Sequence, residues 1–423
     1  MTLGRIILAV GISILWNFTL NAQVPIPDCV EEGQCTVLVW IGYDLPTPKI
    51  DSIADTLIIP ALTPFQRNAL EFIRGFEVLV DSPSRAVKIS WEVIDASASE
   101  KVKNQKWQSA DIIVPFGNRH FVQSVFKKDS LQEKHIVVNT WNETSCCPHH
   151  KGWVQWYPSV RQHVYTLVEQ WRNQKVVVIY PSNATYAEKR YVEVLKQIEG
   201  IYKDIDFTFL KKDVVHIEDL QKVLVPFDTT VVFIASLRLP LVFNVMEQLS
   251  ISTVSEEEYG VKIYGLPTWV KFHQLEYRLL KKFKPVVVSP FHIRDSLKYW
   301  ELYKHYLDRY YENLWGNSFF IAYDLGSFIV KWLEYAKTYW LQSEPFYFKG
   351  ILTEVALEPF YLDSMSIARW ENICVSLLRF EDKDYKCYKN CVCRVPESIS
   401  SQEFPDSLAV PQRRNKLLHK EMD

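Results

Sequence analysis

Short apolar runs rich in β-branched residues alternate along most of this chain with stretches in which apolar residues recur every three or four positions. Runs such as 36–41 and 111–114 are typical of strands buried in a sheet. The spacing of Phe72, Ile73 and Phe76 is typical of one face of a helix. Because regular alternation of strands and helices is typical of parallel sheets covered by helices on both faces, the pattern predicts an α/β fold.

The predicted strands form two groups along the chain. They are 36–41, 87–94, 111–114 and 136–139 in the first group, and 175–180, 230–236, 261–265 and 285–289 in the second. A chain of 423 residues exceeds what one hydrophobic core usually organises. The sequence therefore predicts two lobes, each a doubly wound parallel sheet, with a ligand cleft outside the carboxyl ends of the strands.

The two ends of the chain have the composition of segments that lie outside the fold. Arg5 precedes the apolar run 6–15, and a small residue, Ala22, follows. This pattern predicts a secretory signal peptide over 1–22, cleaved after Ala22, and an exported protein of the periplasm or cell envelope. An uncleaved signal anchor is the alternative, although the run is shorter than the ~20 residues of a membrane-spanning helix. We expect no stable membrane span after cleavage, and a disordered tail over 396–423.

Export would place the cysteines where disulfides persist. The eight cysteines are Cys29, Cys35, Cys146, Cys147, Cys374, Cys387, Cys391 and Cys393. Pairing is predicted among the last four, with a metal site as the alternative, because their spacing lacks the paired CxxC of zinc sites. The cluster Cys146-Cys147-Pro148-His149-His150 is interpreted as a disulfide-bearing loop, since adjacent residues rarely ligate one ion together.

Charge and motif content exclude several functions. The net charge of −2 is close to balance, whereas nucleic-acid surfaces need a clustered excess of Lys and Arg, so no nucleic-acid partner is expected. The motifs G-x-S-x-G, G-x-x-x-x-G-K-[ST], H-E-x-x-H and G-x-G-x-x-G do not occur in the sequence. With no spacing that singles out a nucleophile and base or an acid pair, we expect no catalysis, no cofactor and no metal.

Four stretches resemble one protein family in their order along the chain. They are Ala69-Leu70-Glu71-Phe72-Ile73-Arg74-Gly75-Phe76, Ser109-Ala110-Asp111-Ile112-Ile113-Val114-Pro115-Phe116-Gly117, Ile263-Tyr264-Gly265-Leu266-Pro267-Thr268-Trp269 and Ile321-Ala322-Tyr323-Asp324-Leu325-Gly326. This order is similar to that of type I periplasmic binding proteins (receptor family ligand-binding region), especially a divergent Bacteroidetes branch related to LysM-linked envelope proteins. No LysM module is recognisable here.

The resemblance implies that three chain crossings form a hinge between the lobes. Lobe one is then expected over 36–157 plus 290–345, and lobe two over 158–289 plus 346–395. Asp324 falls in the family's Tyr-Asp helix, and we interpret it as a residue that organises backbone near a crossing and does not contact ligand.

In lobe one, the family holds an anionic group at a helix start that follows a strand. Asn118 and Arg119 occupy that position here, where the family favours smaller Ser and Thr side chains. Arg119 is predicted either to clamp a carboxylate or to lie at the surface. Thr140 follows the next strand and is the predicted hydroxyl contact, and the neighbouring Asn139 is interpreted either as a contact or as a loop cap.

In lobe two, the resemblance implies three contacts at the carboxyl ends of strands. Tyr186 lies where the family often places an aromatic side chain that closes over a ligand. Ser236 ends a predicted strand, and Thr268 follows another.

These features predict an exported, non-catalytic protein, similar to the substrate-binding proteins of ABC transporters, that binds a small solute in the cleft. A hydrated pocket lined by Thr140, Tyr186 and Ser236 would favour this function. The alternative is a cell-envelope interaction or scaffold protein that has kept the fold and lost the pocket. A cleft crowded by Trp141, Trp269 and Arg119 would favour the alternative.

Overall fold

The structure is a computed structural model. It describes residues 27–45, 49–51, 56–58, 62–80, 87–126, 135–140, 152–253, 259–339, 346–361 and 367–389. The predicted signal peptide, the loop that contains Cys146 and Cys147, and the predicted tail lie outside the described residues.

The described residues form alternating strands and helices. The α-helices are α1 Cys29–Glu32, α2 Pro64–Val80, α3 Glu100–Ser109, α4 Arg119–Phe126, α5 Val160–Val168, α6 Tyr186–Glu199, α7 Ile217–Gln221, α8 Leu239–Ser252, α9 Tyr277–Phe283, α10 Ser296–Tyr310 and α11 Ser318–Tyr339, with a 3₁₀ helix at Pro267–Lys271. The strands are β1 Gln34–Ile41, β2 Lys49–Asp51, β3 Thr56–Ile58, β4 Lys88–Ile94, β5 Ile112–Phe116, β6 Ile136–Asn139, β7 Trp153–Gln155, β8 Lys175–Tyr180, β9 Asp206–Lys211, β10 Thr229–Ile234, β11 Gly260–Gly265, β12 Val286–Ser289, β13 Tyr347–Lys349, β14 Glu354–Tyr361, β15 Ile367–Asn372, β16 Ser376–Glu381 and β17 Asp384–Lys389.

The chain divides into two compact units. Among the described residues the first comprises those up to 157 together with 293–372, and the second comprises 158–292 and those from 373 onward. The predicted lobes differ from these units at 346–372, which sequence reasoning placed in lobe two. Strand β15 pairs in parallel with β7 of the first unit, at Trp370 with Val154 and at Glu371 with Gln155, so this segment completes the first sheet.

The sheet of the first unit has the strand order β13-β14-β15-β7-β6-β5-β1-β4. Strands β4, β1, β5, β6, β7 and β15 run parallel, and β14 and β13 extend the sheet in the antiparallel sense. The order reverses next to β1, because β4 lies on one side of it and β5 on the other. Such a reversal places helices on both faces of the sheet.

The sheet of the second unit repeats this plan, with the order β17-β16-β12-β11-β10-β8-β9. Strands β8, β9, β10, β11 and β12 are parallel, and β16 and β17 add an antiparallel edge. The prediction of two α/β lobes is thereby confirmed. Each sheet is mixed, with a mostly parallel body.

Two glycines let helices α2 and α11 pack closely in the first unit. A methyl group at Gly75 would lie 2.7 Å from Cβ of Ala322, and one at Gly326 would lie 2.9 Å from Cδ1 of Phe76. The family-like stretches that contain Gly75 and Gly326 are therefore the two sides of one helix contact.

Asp324 organises backbone, as expected. It is buried, and its carboxylate accepts hydrogen bonds from the N–H groups of Ile351, Leu352 and Thr353 at 2.8–3.0 Å. These bonds hold the turn that precedes β14.

The cysteines of the described residues are partly paired. Cys29 and Cys35 form a disulfide, and Cys374 is disulfide-bonded as well. Pairing within the group Cys374, Cys387, Cys391 and Cys393 stays a prediction. No helix of the described residues has the length and apolar content needed to cross a membrane.

Candidate functional site

The carboxyl ends of β5 and β6 in the first unit carry the predicted lobe-one residues. Asn118 follows β5 and caps α4, because its side-chain oxygen accepts the N–H of Phe121 at 2.9 Å. Arg119 is the first residue of α4, and its side chain lies outside the described part. Thr140 follows β6, and its hydroxyl donates to the carbonyl of Pro115 in β5 at 3.0 Å. The structure therefore brings Asn118 and Thr140 to neighbouring strands of one sheet edge.

An aromatic ring covers the point at this edge where the strand order reverses. Gly42 and Gly117 follow the neighbouring strands β1 and β5, and the ring of Phe121 lies against both. A methyl group at Gly117 would lie 2.6 Å from Cδ1 of Phe121 and 3.1 Å from Cα of Gly42. Reversal points of α/β sheets are where ligands usually bind, so the protein itself occupies part of that space in the first unit.

The second unit places Tyr186 and Thr268 at the carboxyl edge of its sheet, and both are exposed. Tyr186 begins α6 after β8, and Thr268 lies in the 3₁₀ helix after β11. Strands β8, β10 and β11 are neighbours. The predicted lobe-two residues therefore share one edge of one sheet, but they differ in accessibility.

Ser236 is fully buried, and its hydroxyl is engaged inside the protein. It donates to Oε1 of Glu188 at 3.1 Å and accepts the N–H of Arg238 at 3.0 Å. The same carboxylate oxygen accepts the N–H of Leu237 at 2.7 Å. Ser236 thus joins the loop after β10 to the first turn of α6.

Glu188 is the centre of this network. Its Oε2 accepts the N–H of Thr185 at 2.6 Å, and the Thr185 hydroxyl accepts the N–H of Glu188, which is a reciprocal cap of α6. Burial raises the pKa of Glu188, but the donors of Leu237, Thr185 and Ser236 outweigh burial, and its pKa lies below the ordinary value. The carboxylate is therefore held in its charged form.

Trp269 and Arg238 fix the loops around this centre. The indole of Trp269 is buried against Gly265, and its N–H donates to the carbonyl of Ser236 at 3.1 Å. The guanidinium of Arg238 donates twice to Asn183, at 2.5 Å each. The loops after β8, β10 and β11 are thereby bonded to one another through side chains.

Comparisons with known proteins find similarity at the level of the fold. No protein-family model and no curated protein sequence matches the chain. A putative branched-chain amino acid ABC transporter protein from Rhodospirillum rubrum superimposes with a TM-score of 0.56 at 9% identity, over 84% of this chain and 99% of that one. An amino acid ABC transporter substrate-binding protein from Pseudomonas fluorescens Pf-5 gives 0.50 at 11%, over 87% and 98%. LpoA from Haemophilus influenzae gives 0.52 at 11%, over 85% of this chain and 58% of LpoA.

The chain has the type I periplasmic binding protein fold. At these identities the fold alone is shared. The order of family-like stretches in the sequence was therefore a correct indicator of the architecture, although each stretch by itself was weak.

Within this fold, Glu188 and Arg238 at the sheet edge of the second unit were not identified from the sequence. Trp269 was named, but its burial against Gly265 was not predicted. The spacing Thr185-x-x-Glu188 is a recognisable capping box and would have placed a carboxylate at the start of α6. No sequence signal indicates that Ser236 and Leu237 donate to that carboxylate, because the contact joins residues 48 and 49 positions apart.

The described residues contain no group of three or more His, Cys, Asp or Glu side chains arranged to hold a metal ion. The polar groups described at the two sheet edges are amides, hydroxyls, the carboxylate of Glu188 and the guanidinium of Arg238. The carboxylate and the guanidinium are committed to internal bonds. The amides and hydroxyls are suited to hydrogen bonding with a neutral or anionic ligand.

Proposed function

We propose that this chain is an exported protein that binds a small solute in the cleft between its two lobes and catalyses no reaction. The observation that carries the proposal is the placement of Asn118, Thr140, Tyr186 and Thr268 at the carboxyl edges of the two mostly parallel sheets. In open α/β sheets this edge is where ligands bind. Transporter proteins from Rhodospirillum rubrum and Pseudomonas fluorescens with this fold support the assignment.

Each residue takes a role that its environment permits. The exposed Tyr186 closes over the ligand, and Thr268 offers a hydroxyl beside it. Asn118 and Arg119 present the start of α4, where backbone N–H groups favour acceptors. Ser236, which the sequence predicted as a contact, supports the loops through Glu188 because its hydroxyl is buried and bonded.

Thermal-shift screening tests the proposal. Amino acids, peptides, nucleobases and sugars are added to the protein, and a ligand that binds the native state raises Tm by mass action. The variant Tyr186→Ala should reduce the shift strongly. The matched control is Tyr277→Ala, because Tyr277 also begins a helix of the second unit and has 49% exposure against 43% for Tyr186.

The result that contradicts the proposal is a ligand-induced shift that Tyr186→Ala and Thr268→Val leave unchanged, or the lack of a shift with every class of solute. Mass spectrometry of the exported protein is the accompanying test of export. A mature terminus near Gln23 supports it, and an intact Met1 on membrane-bound material contradicts cleavage.

A second candidate function is a cell-envelope interaction protein that keeps the fold without a solute pocket. The ring of Phe121 over Gly42 and Gly117 favours it, as does the indole of Trp269 over Gly265, because both fill space at the sheet edges. LpoA from Haemophilus influenzae shares the fold. Co-purification of a defined envelope protein, together with failure of the solute screen, would select this function. We also keep as a proposal the closer kinship with the divergent Bacteroidetes branch.

A further inference from the structure

Helix α2 and the loop 311–317, between α10 and α11, enclose a pocket of about 650 Å³ in the first unit. Its lining consists of Leu62, Arg67, Leu70, Glu71, Glu312, Asn313, Leu314 and Trp315. A volume of this order is typical of small-molecule sites. Every lining residue belongs to the first unit, so the pocket is a property of that unit alone.

The pocket has an apolar part and an acidic part. Leu62, Leu70 and Leu314 supply the apolar surface, and Glu71 and Glu312 supply two carboxylates. This combination fits a molecule with an apolar body and a hydrogen-bond-donating head.

Glu71 is the polar group that the protein leaves half satisfied. It is only 2% exposed, and its Oε1 accepts the backbone N–H of Trp315 at 2.5 Å. Its Oε2 is buried and accepts no hydrogen bond of ordinary geometry from the described residues, although the backbone N–H of Gly316 lies close enough to the carboxylate to lower its pKa. A buried carboxylate oxygen without a donor is costly, and native proteins rarely leave one so.

The neighbouring cations are engaged elsewhere. The guanidinium of Arg67 lies 3.9 Å from the ring centre of Trp315. The guanidinium of Arg74 forms an ion pair with Glu312 and donates to the hydroxyl of Tyr306 at 2.7 Å. Among the described residues, Glu71 therefore has no basic side chain within ion-pair distance.

We propose that this pocket binds a protonated amine with an apolar body. The ammonium group donates to the carboxylate of Glu71, whose buried Oε2 must become accessible when the amine binds, and the body packs against Leu62, Leu70 and Leu314. An ammonium is favoured over a neutral donor because the site has a carboxylate without a counterion.

The electrostatics of Glu71 agree with this assignment. Burial raises the pKa of Glu71, and the charge of Glu312 raises it further. The backbone N–H groups of Trp315 and Gly316 and the charge of Arg74 lower it. The net shift of the pKa is upward. The pocket therefore disfavours the bare carboxylate, and a bound cation removes that penalty.

Three probes with one body and different heads test the proposal: phenethylamine, phenethyl alcohol and hydrocinnamate. Binding to the full chain is measured by calorimetry or ligand-observed NMR at mildly alkaline pH. We expect phenethylamine to bind at least about tenfold more tightly than the other two probes, since hydrogen bonds to charged groups contribute that much.

Glu71→Gln is the decisive variant, because it keeps an acceptor for Trp315 and puts an amide donor in the place of Oε2. It should weaken phenethylamine binding about tenfold or more. Glu77→Gln is the matched control, since Glu77 lies on the same helix, outside the pocket lining, where it accepts the hydroxyl of Tyr310 at 2.6 Å. It should leave binding unchanged.

A second variant guards against misfolding of Glu71→Gln. Leu62→Trp fills the pocket from the segment before α2 and leaves the Glu71 bond intact, so it should abolish binding without a large change in the Tm of the unliganded protein. Equal phenethylamine binding by Glu71→Gln, preference for hydrocinnamate, or no binding by any probe would overturn the proposal.

The proposal for this pocket and the proposal for the cleft can be contradicted independently of each other. Tyr186→Ala should not change phenethylamine binding, whereas loss of binding in Tyr186→Ala with retention in Glu71→Gln would place the amine at the cleft and overturn the pocket assignment.

Discussion

The hydroxyl of Ser236 donates to Oε1 of Glu188 at 3.1 Å, and this bond helps to join the loop after β10 to the first turn of α6. The carboxylate accepts two backbone N–H groups besides, from Thr185 and Leu237. A residue at the edge expected to bind ligand is thus built into the support of that edge.

Glu188→Gln should lower the free energy of unfolding by about 2 kcal/mol. The amide nitrogen of the new side chain would face a backbone N–H, of Thr185 or of Leu237, that now donates to a carboxylate oxygen. Urea denaturation measures the change. Glu193→Gln is the control, as Glu193 lies on the same helix and is exposed in a surface ion pair with Arg190. Equal losses in both variants would contradict the role of Glu188.

The same carboxylate predicts a pH dependence. Burial raises the pKa of Glu188 in the folded state, but its hydrogen-bond donors lower it by more, so the folded pKa lies below the ordinary value. Its contribution to stability is therefore present above the unfolded pKa and is lost as pH falls through the lower folded pKa. The stability difference between the wild type and Glu188→Gln should shrink on acidification, measured as urea midpoints across the acid range. A difference independent of pH would show that charge is not involved.

Gly75→Ala should destabilise the first unit by about 1 to 3 kcal/mol, because the added methyl meets Ala322 across the contact between α2 and α11. Thermal unfolding measures the loss. Gly200→Ala is the control: Gly200 ends α6 with φ −69°, and no atom lies within 4 Å of the added methyl position. That variant should be neutral or stabilising by up to about 1 kcal/mol.

Asp324→Asn should destabilise by about 2 kcal/mol or more, because the side-chain oxygens accept three backbone N–H groups and the amide nitrogen would face donors. Asp308→Asn, an exposed site on α10, is the control. Unchanged unfolding of Asp324→Asn would mean that the turn before β14 does not depend on the carboxylate.

Most parallel strands could be predicted from the sequence, and the central ones are buried and almost continuously apolar. The stretches 36–41 and 175–180 correspond to β1 and β8. Strand β9 was not predicted, since it lies at a sheet edge with exposed Asp206 and Lys211, and Phe207 is its one buried residue. Strand β9 lacks the apolar run on which the prediction depends, whereas the edge strand β4 was predicted from its β-branched and aromatic residues.

The boundary at 346–372 was wrong because linear order does not specify which sheet a late strand joins. The short extended segments after residue 350 have similar composition, yet β14 and β15 join the first sheet, and β16 joins the second. Pairing partners depend on contacts between distant residues, which periodicity does not report.

The positions of the candidate residues could be predicted from the sequence, but their burial and hydrogen bonding could not. Strand ends locate Asn118, Thr140, Tyr186 and Ser236 at the sheet edges. Whether a hydroxyl there is open to solvent or is hydrogen-bonded inside the protein depends on a residue such as Glu188, which is distant in sequence.

Strand β15 is synthesised long after β7, the strand with which it pairs in the first sheet, and this fixes the order in which the sheets can form. Asn372 donates to the carbonyl of Trp156, 216 residues earlier, whereas β8 to β12 arrive in one uninterrupted segment. While synthesis proceeds from 158 to 366, β7 lacks its neighbour on one side, and an unpaired strand is a template for association with other chains. The parallel strands β8 to β12 of the second unit are thus synthesised before the first sheet is closed by β15, whereas its antiparallel edge, β16 and β17, follows β15. Chains that stop short of β15 leave β7 with an unpaired edge.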